Sequence, residues 1–204
     1  MLDPVYLAAF VTLFVVIDPI GLAPLFIALT AGMTPARARR IGWRAVGIAL
    51  VLMVLFGLWG AQLLAGIGIS LPAFRIAGGI LLFLTALDML FERRTQRREG
   101  RTPDEDHDPS VFPLATPLLA GPGALASMIL LVEQRPGWAH WAAVNLVMLA
   151  VLALVLVLFA LSRPLARALG RTGTMVVTRL FGMLLAALSV QFIVDGLAGT
   201  GLFR

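Results

Sequence analysis

The sequence predicts an all-α membrane protein: six transmembrane helices arranged as two inverted three-helix repeats, with helices 1 and 4 broken by Pro/Gly motifs. Three observations lead there. Of the 204 residues, 60% are hydrophobic and only 13% charged, well short of the roughly one quarter charged that a soluble surface requires. The apolar stretches suit a hydrocarbon core about 30 Å thick, which takes roughly 20 helical residues to cross. The arginines fall in alternate loops, and two similar proline motifs sit in the two halves.

Span one covers 4–29 and is interrupted near 18–24. Span two covers 41–64; Thr34-Pro35 ahead of it is a cap followed by a first-turn proline, so this helix should overhang the membrane. Span three covers 71–91, and a charged loop follows. Span four covers 110–132 with a break near 116–123, span five covers 138–161 and span six 175–198. Between the last two, Arg163, Arg167 and Arg171 recur every four residues around Leu165 and Leu169, the pattern of a short helix lying at the interface.

Arginine placement orients the bundle. All sixteen basic residues are arginine. Twelve lie in the loops after spans one, three and five, against only Arg135 and Arg204 in the opposite loops. By the positive-inside rule the twelve face the cytoplasm, so both termini face the periplasmic or extracellular side of a bacterial inner membrane. The excess of positive charge, net +5, lies between apolar stretches rather than along an aromatic-lined groove, so nucleic acid is not an expected partner. The chain has no cysteine, which excludes disulfides and thiolate chemistry. Asp3 stands where a cleavable signal needs positive charge, so the first span is expected to be retained.

The two halves resemble each other. Pro19-Ile-Gly-Leu-Ala-Pro24 matches Pro117-Leu-Leu-Ala-Gly-Pro122, each after a capping residue, Asp18 or Thr116. Arg75-Ile-Ala-Gly78 matches Arg179-Leu-Phe-Gly182. Three spans per half mean that the second half enters from the opposite side, an inverted repeat. The expected organisation is 1–91 for the first repeat, 92–110 for the cytoplasmic loop and 111–204 for the second repeat, all within one membrane domain.

The broken spans carry the functional argument. Proline in a helix removes a hydrogen bond and clashes with the preceding turn, and freed backbone groups survive at membrane depth only inside protein or along a watery cavity. Asp18-Pro19 and Thr116-Pro117 read as fresh helix starts, whose free N–H groups suit an anion such as a carboxylate. The candidate solute- or ion-binding residues are therefore Asp18, Pro19, Gly21, Pro24, Thr116, Pro117, Gly121, Pro122, Gly123 and Gln191. Two roles fit Asp18: a helix cap, and a site for a coupling proton or Na⁺. Arg75, Asp88, Asn145, Arg179 and Asp195 form a second tier that also fits interfacial snorkelling or helix–helix contact. No metal site or cofactor is expected. Asp104, Glu105, Asp106, His107 and Asp108 read as part of a solvated linker, and His140 as an interfacial residue.

Asp18-Pro-Ile-Gly-Leu-Ala-Pro-Leu-Phe26, Ile69-Ser-Leu-Pro-Ala-Phe-Arg-Ile-Ala-Gly-Gly79, Pro113-Leu-Ala-Thr-Pro-Leu-Leu-Ala-Gly-Pro-Gly123 and Gln191-Phe-Ile-Val-Asp-Gly196 resemble, in order and over nearly the whole chain, the MarC family of bacterial integral membrane proteins. That resemblance implies six inner-membrane spans and a relation to LysE-like exporters and to SnatA-type transporters of small neutral amino acids. Many members carry Asn where this chain has Leu22. The expected function is thus secondary transport of a small solute such as a neutral amino acid, driven by a proton or sodium gradient. The expected partners are the lipid bilayer, that solute and the coupling ion, with a homo-oligomer left open. A non-transporting scaffold or assembly partner is the alternative. An intramembrane lipid-modifying enzyme ranks last, because no nucleophile–base pair, His-Glu-x-x-His or Gly-x-Ser-x-Gly is present.

Overall fold

The computed structural model describes residues 3–91 and 108–201. The loop arginines Arg93, Arg94, Arg97, Arg98 and Arg101, the linker residues Asp104, Glu105, Asp106 and His107, and Arg204 lie outside them.

The first span is made of α1 (Pro4–Ile17) and α2 (Pro19–Leu29). Asp3 starts α1 by accepting the Val5 N–H at 3.1 Å, and Pro4 fills the first position, where no N–H is needed. Both helices are apolar all round and run on as one 26-residue span. Thr30 ends α2, its hydroxyl donating to the Phe26 carbonyl at 2.7 Å. Helix α3 (Pro35–Gly66) starts from the expected Thr34 cap, which accepts the Arg37 N–H at 3.3 Å. Its 32 residues correspond to a helix about 48 Å long at 1.5 Å per residue, so it overhangs the hydrocarbon layer as expected. Helix α4 (Leu71–Leu90) starts at Ser70.

In the second half, α5 (Ser110–Leu119) is a wide, irregular turn of chain and α6 (Pro122–Val132) is regular helix; they meet at a 51° bend. Helix α7 (Trp138–Ala160) follows, then α8 (Ser162–Gly199). Gly170 interrupts α8 at φ 61°, ψ −175°, a conformation essentially restricted to glycine. That break separates the short arginine-bearing helix expected before span six from the apolar stretch Thr172–Gly199. Among the described residues five helical stretches are long and apolar enough to cross a membrane, and the bent α5–α6 pair, counted as one span, brings the number to six.

The surface is that of a protein in lipid. Leu7, Trp59, Leu63, Leu84, Leu146 and Val157 all stand exposed, where a water-soluble domain would place charge. Inside, Leu13, Ile17, Met53, Leu82, Met128 and Met148 are fully buried. The packing runs across the halves. Helix α3 lies against α5 and α6, while its counterpart α7 lies against α1 and α2. Helix α4 packs on α6, and α8 on α2 and α1. The most extensive contact joins α4 to α8 in antiparallel fashion. Glycine makes that seam close: a Cβ on Gly79 would stand 2.7 Å from the Ser189 carbonyl, and one on Gly196 2.9 Å from the Pro72 carbonyl. Small residues at such a seam let backbones approach in the absence of a hydrophobic driving force between helices.

Candidate functional site

The first break is at Asp18. Its backbone lies in the left-handed region (φ 51°, ψ 62°), which among residues with a side chain Asp and Asn tolerate best. The turn ends α1 and starts α2 in one step, and the carboxylate accepts the Gly21 N–H at 3.0 Å. Asp18 is only 2% exposed, 14 residues from the start of a 26-residue span. A carboxylate is thus held in the middle of the bundle. Gly21 makes room for it, since a Cβ there would lie 2.0 Å from Asp18 Oδ2. Pro19 is buried; Pro24 sits inside α2 with its ring exposed, and the helix continues past it.

The second break differs from the expectation. Thr116-Pro117 does not start a helix. Thr116 is extended (φ −128°, ψ 130°), as is Phe112 (φ −127°, ψ 126°), and the peptides joining them to Pro117 and Pro113 are cis. The physical reason is the pair of prolines one turn apart. Each lacks a donor and drives the preceding residue out of the helical region, so regular helix resumes only at Pro122. The chain instead closes wider turns, with the Ala120 N–H donating to Ala115 O at 2.8 Å and the Leu114 N–H to Pro109 O at 3.3 Å. Thr116 is half-buried, and its hydroxyl donates to Val111 O at 3.4 Å. The helix start is Gly121-Pro122, with proline at the first position and no side chain capping it. Gly121 is buried, and a Cβ on it would meet the Pro117 carbonyl at 2.4 Å.

The fold brings the two breaks side by side. Gly123, in the first turn of α6, is so close to α1 and α4 that a Cβ would stand 3.6 Å from Val16 Cγ1 and 2.6 Å from Leu82 Cδ2. Val16 is two residues before Asp18. One break therefore presents a carboxylate, and the other a helix N-terminus, partially positive, that carries no side-chain capping hydrogen bond. One turn along α6, Ser127 is fully buried and its hydroxyl has no hydrogen-bond partner. Buried polar atoms are almost always paired, so this residue, which the sequence reading passed over, joins the site. Its signal was a lone serine in an apolar run one turn after Gly123.

Asn145 is 7% exposed on α7. Its amide donates to Trp141 O at 2.8 Å, while its Oδ1 and the Trp141 Nε1 are buried without partners. His140, in the first turn of α7, is buried against protein: its ring nitrogens face Leu131 O at 2.9 Å and the Tyr6 hydroxyl at 3.3 Å. Gln191 lies on an exposed face of α8, where its amide donates to Asp195 at 2.7 Å. These two hold each other and are not brought to the breaks. Arg75 and Asp88 are half-buried on α4, and Arg179 is exposed on α8. No cluster of metal-ligating side chains occurs among the described residues.

Two ion pairs close the ends of the bundle. At one end Arg135, between α6 and α7, meets Asp3 at 2.7 Å; at the other Arg44 of α3 meets Asp108 at 2.5 Å. Hydrogen bonding to Arg135 first, and then to the Val5 N–H, holds the Asp3 carboxyl below its usual range. The Ser110 hydroxyl and N–H, and then Arg44, do the same for Asp108.

A six-span helical bundle with a carboxylate buried at a helix break defines a polytopic integral membrane protein. The model of the MarC family integral membrane proteins matches residues 4–200, and the chain belongs to that family. A UPF0056 membrane protein of Archaeoglobus fulgidus is 37% identical over 95% of this chain and 92% of its own length. UPF0056 membrane protein YhcE of Escherichia coli is 36% identical over 96% and 93%. YvbG of Bacillus subtilis is 35% identical over 93% and 92%. No solved structure matches.

Proposed function

We propose that this MarC-family protein is a secondary transporter of a small zwitterionic solute, such as a neutral amino acid, driven by a proton or sodium gradient, and not an enzyme. The observation that carries the reading is the meeting of two unlike breaks in the core: a buried carboxylate at Asp18 and an uncapped helix start at Gly121-Pro122. Asp18 already caps the α2 N-terminus at the Gly21 N–H. The solute's carboxylate therefore belongs at the first turn of α6, near the Gly123 and Ala124 N–H groups and the Ser127 hydroxyl. Its ammonium group, or the coupling cation, belongs at Asp18.

Alternating access follows from the inverted repeat, one half rocking against the other around the breaks. Two reciprocities support that repeat. Helix α3 packs on the broken span of the second half, as α7 packs on that of the first. The ion pairs obey the same exchange, because Asp3-Pro4 opens span one and Asp108-Pro109 opens span four, each bound to an arginine near the start of the other half's second span. Arg44–Asp108 and Arg135–Asp3 then act as ties at the two ends, both formed in this structure, and opening either end would release the tie there. The arginine distribution supports an orientation with the Arg44 end in the cytoplasm of a bacterial inner membrane and both termini outside.

The test is uptake of radiolabelled glycine or alanine into proteoliposomes, with and without imposed proton and Na⁺ gradients. Saturable, gradient-stimulated uptake that Asp18→Asn removes is the expected result. Asn keeps the acceptor for the Gly21 N–H and tolerates the left-handed turn, so only the charge is lost. Folded, inserted protein that takes up nothing beyond empty liposomes rejects neutral amino acids as substrates and favours the scaffold reading.

A further inference from the structure

A cleft of about 480 Å³ opens at the arginine-rich end of the bundle, between the end of α2, the start of α3 and the junction of α7 with α8. It contains no residue of either break. Its floor is apolar: the rings of Phe26 and Phe159 stack with centroids 4.2 Å apart. Gly42 leaves the space above them open, since a Cβ there would touch Phe159 at 3.5 Å and Phe26 at 3.6 Å. Its rim is basic. Arg39 of α3 and Arg163 of α8 come from opposite halves of the chain to the same opening. Neither is in an ion pair among the described residues, and no acidic residue lines the cleft. Trp43 stands beside them, 66% exposed, in the manner of an aromatic side chain at headgroup level.

We propose that this cleft binds one anionic phospholipid, its phosphate held between Arg39 and Arg163 and an acyl chain laid over Phe26 and Phe159. Guanidinium groups form bidentate hydrogen bonds with phosphate. Basic pockets between transmembrane helices at the cytoplasmic interface are suited to anionic headgroups. A free anion would satisfy the rim and leave the aromatic floor uncovered, whereas a zwitterionic lipid would cover the floor and bring no net charge to the two arginines. The lipid would also brace α2, which carries the capped break, against α3 and α7.

The experiment is native mass spectrometry of the full chain in detergent, titrated with dioleoyl-phosphatidylglycerol or dioleoyl-phosphatidylcholine. One phosphatidylglycerol should be retained in preference to phosphatidylcholine. The double variant Arg39→Ala/Arg163→Ala should weaken that binding roughly tenfold or more, at an unchanged melting temperature. Arg37→Ala/Arg40→Ala, which removes the same charge outside the cleft lining, should leave it in place. Gly42→Leu should abolish it by filling the floor while both rim arginines remain. Equal retention of the two lipids would overturn the proposal, as would equal losses from the two double variants. Displacement of the lipid by millimolar inorganic phosphate would also overturn it, assigning the rim to a soluble anion.

Discussion

The two interrupted spans share one sequence pattern, a capping residue followed by Pro, four residues and Pro, yet they fold differently. After Asp18 the chain makes a single left-handed turn and α2 runs on through Pro24, so the span stays nearly whole. After Thr116 no helix forms, and the span bends by 51° before α6 begins at Pro122. The difference lies upstream. Pro113 precedes Pro117 by one turn, and the two together push Phe112 and Thr116 into extended backbone. In the first half Pro19 has no such predecessor, since the preceding proline is Pro4 at the start of α1. The lesson is that a motif match locates a break without giving its form. Here the forms are complementary: one break capped by its own carboxylate, the other uncapped.

The largest expected effect separates charge from geometry at the first break. Asp18→Asn should reduce gradient-driven uptake by about a hundredfold, the size of roughly 2.7 kcal/mol in a rate, with little change in melting temperature. Asp18→Ala should cost stability as well, about 1 kcal/mol for the lost cap and about 1 kcal/mol or more for the left-handed turn. Equal melting temperatures for the two variants would mean that the cap does not hold the break.

Next come the glycines. Gly121→Ala sets a methyl against the Pro117 carbonyl, and overpacking of that kind costs about 1–3 kcal/mol. Gly21→Ala should destabilise less, because the obstructing atom is the end of the Asp18 side chain, which can swing away, but it should lower uptake by displacing the carboxylate. Thermal unfolding and uptake measured on the same preparations separate these outcomes. If Gly21→Ala left uptake intact, the position of the Asp18 carboxylate would be irrelevant to transport.

Thr116→Ala should have a small effect, since the hydroxyl makes only a long bond to Val111 O and caps no helix; within about twofold in uptake corresponds to under roughly 0.5 kcal/mol. A large loss would return the anion site to Thr116.

The smallest effects lie at the bundle ends. The folded-state carboxyls of Asp3 and Asp108 are held below the ordinary 3.8. Whatever stability their ion pairs add is therefore fully present above that value and is lost as pH falls through the lowered values. The melting-temperature difference between the parent protein and Asp108→Asn should be present at pH 7 and shrink at about pH 3. A difference that grows on acidification would contradict the pairing.

Much of this was legible in single residues and their spacing. Asp18, Pro19 and Gly21 read as a capped helix start, and that is how they fold. Thr34 caps α3 as expected, because a cap is a local bond three residues long. The second helix starts at Pro122 and not at Pro117, because Pro113 one turn earlier acts with Pro117 to keep the backbone extended at Phe112 and Thr116. Ser127, Trp141 and Asn145 could not be recognised as buried polar atoms without partners, because pairing depends on which helices face them. The ion pairs join residues 64 and 132 positions apart, and only the twin Asp-Pro dipeptides at 3–4 and 108–109 hinted at their kinship.

The sequence by itself determined that the chain lives in a membrane and where its candidate spans lie. Those properties follow from transfer free energies and helix length, which add residue by residue. It also located the two breaks, because proline acts on its own turn. Only the tertiary structure decided that the halves pack through each other, that Gly123 meets Val16 beside Asp18, and that Arg39 and Arg163 share one cleft. Helices that are apolar on every side carry no stripe to say which face turns inward. Their partners are chosen by close contact at glycines and by the fit of side chains across helices, which no single segment encodes.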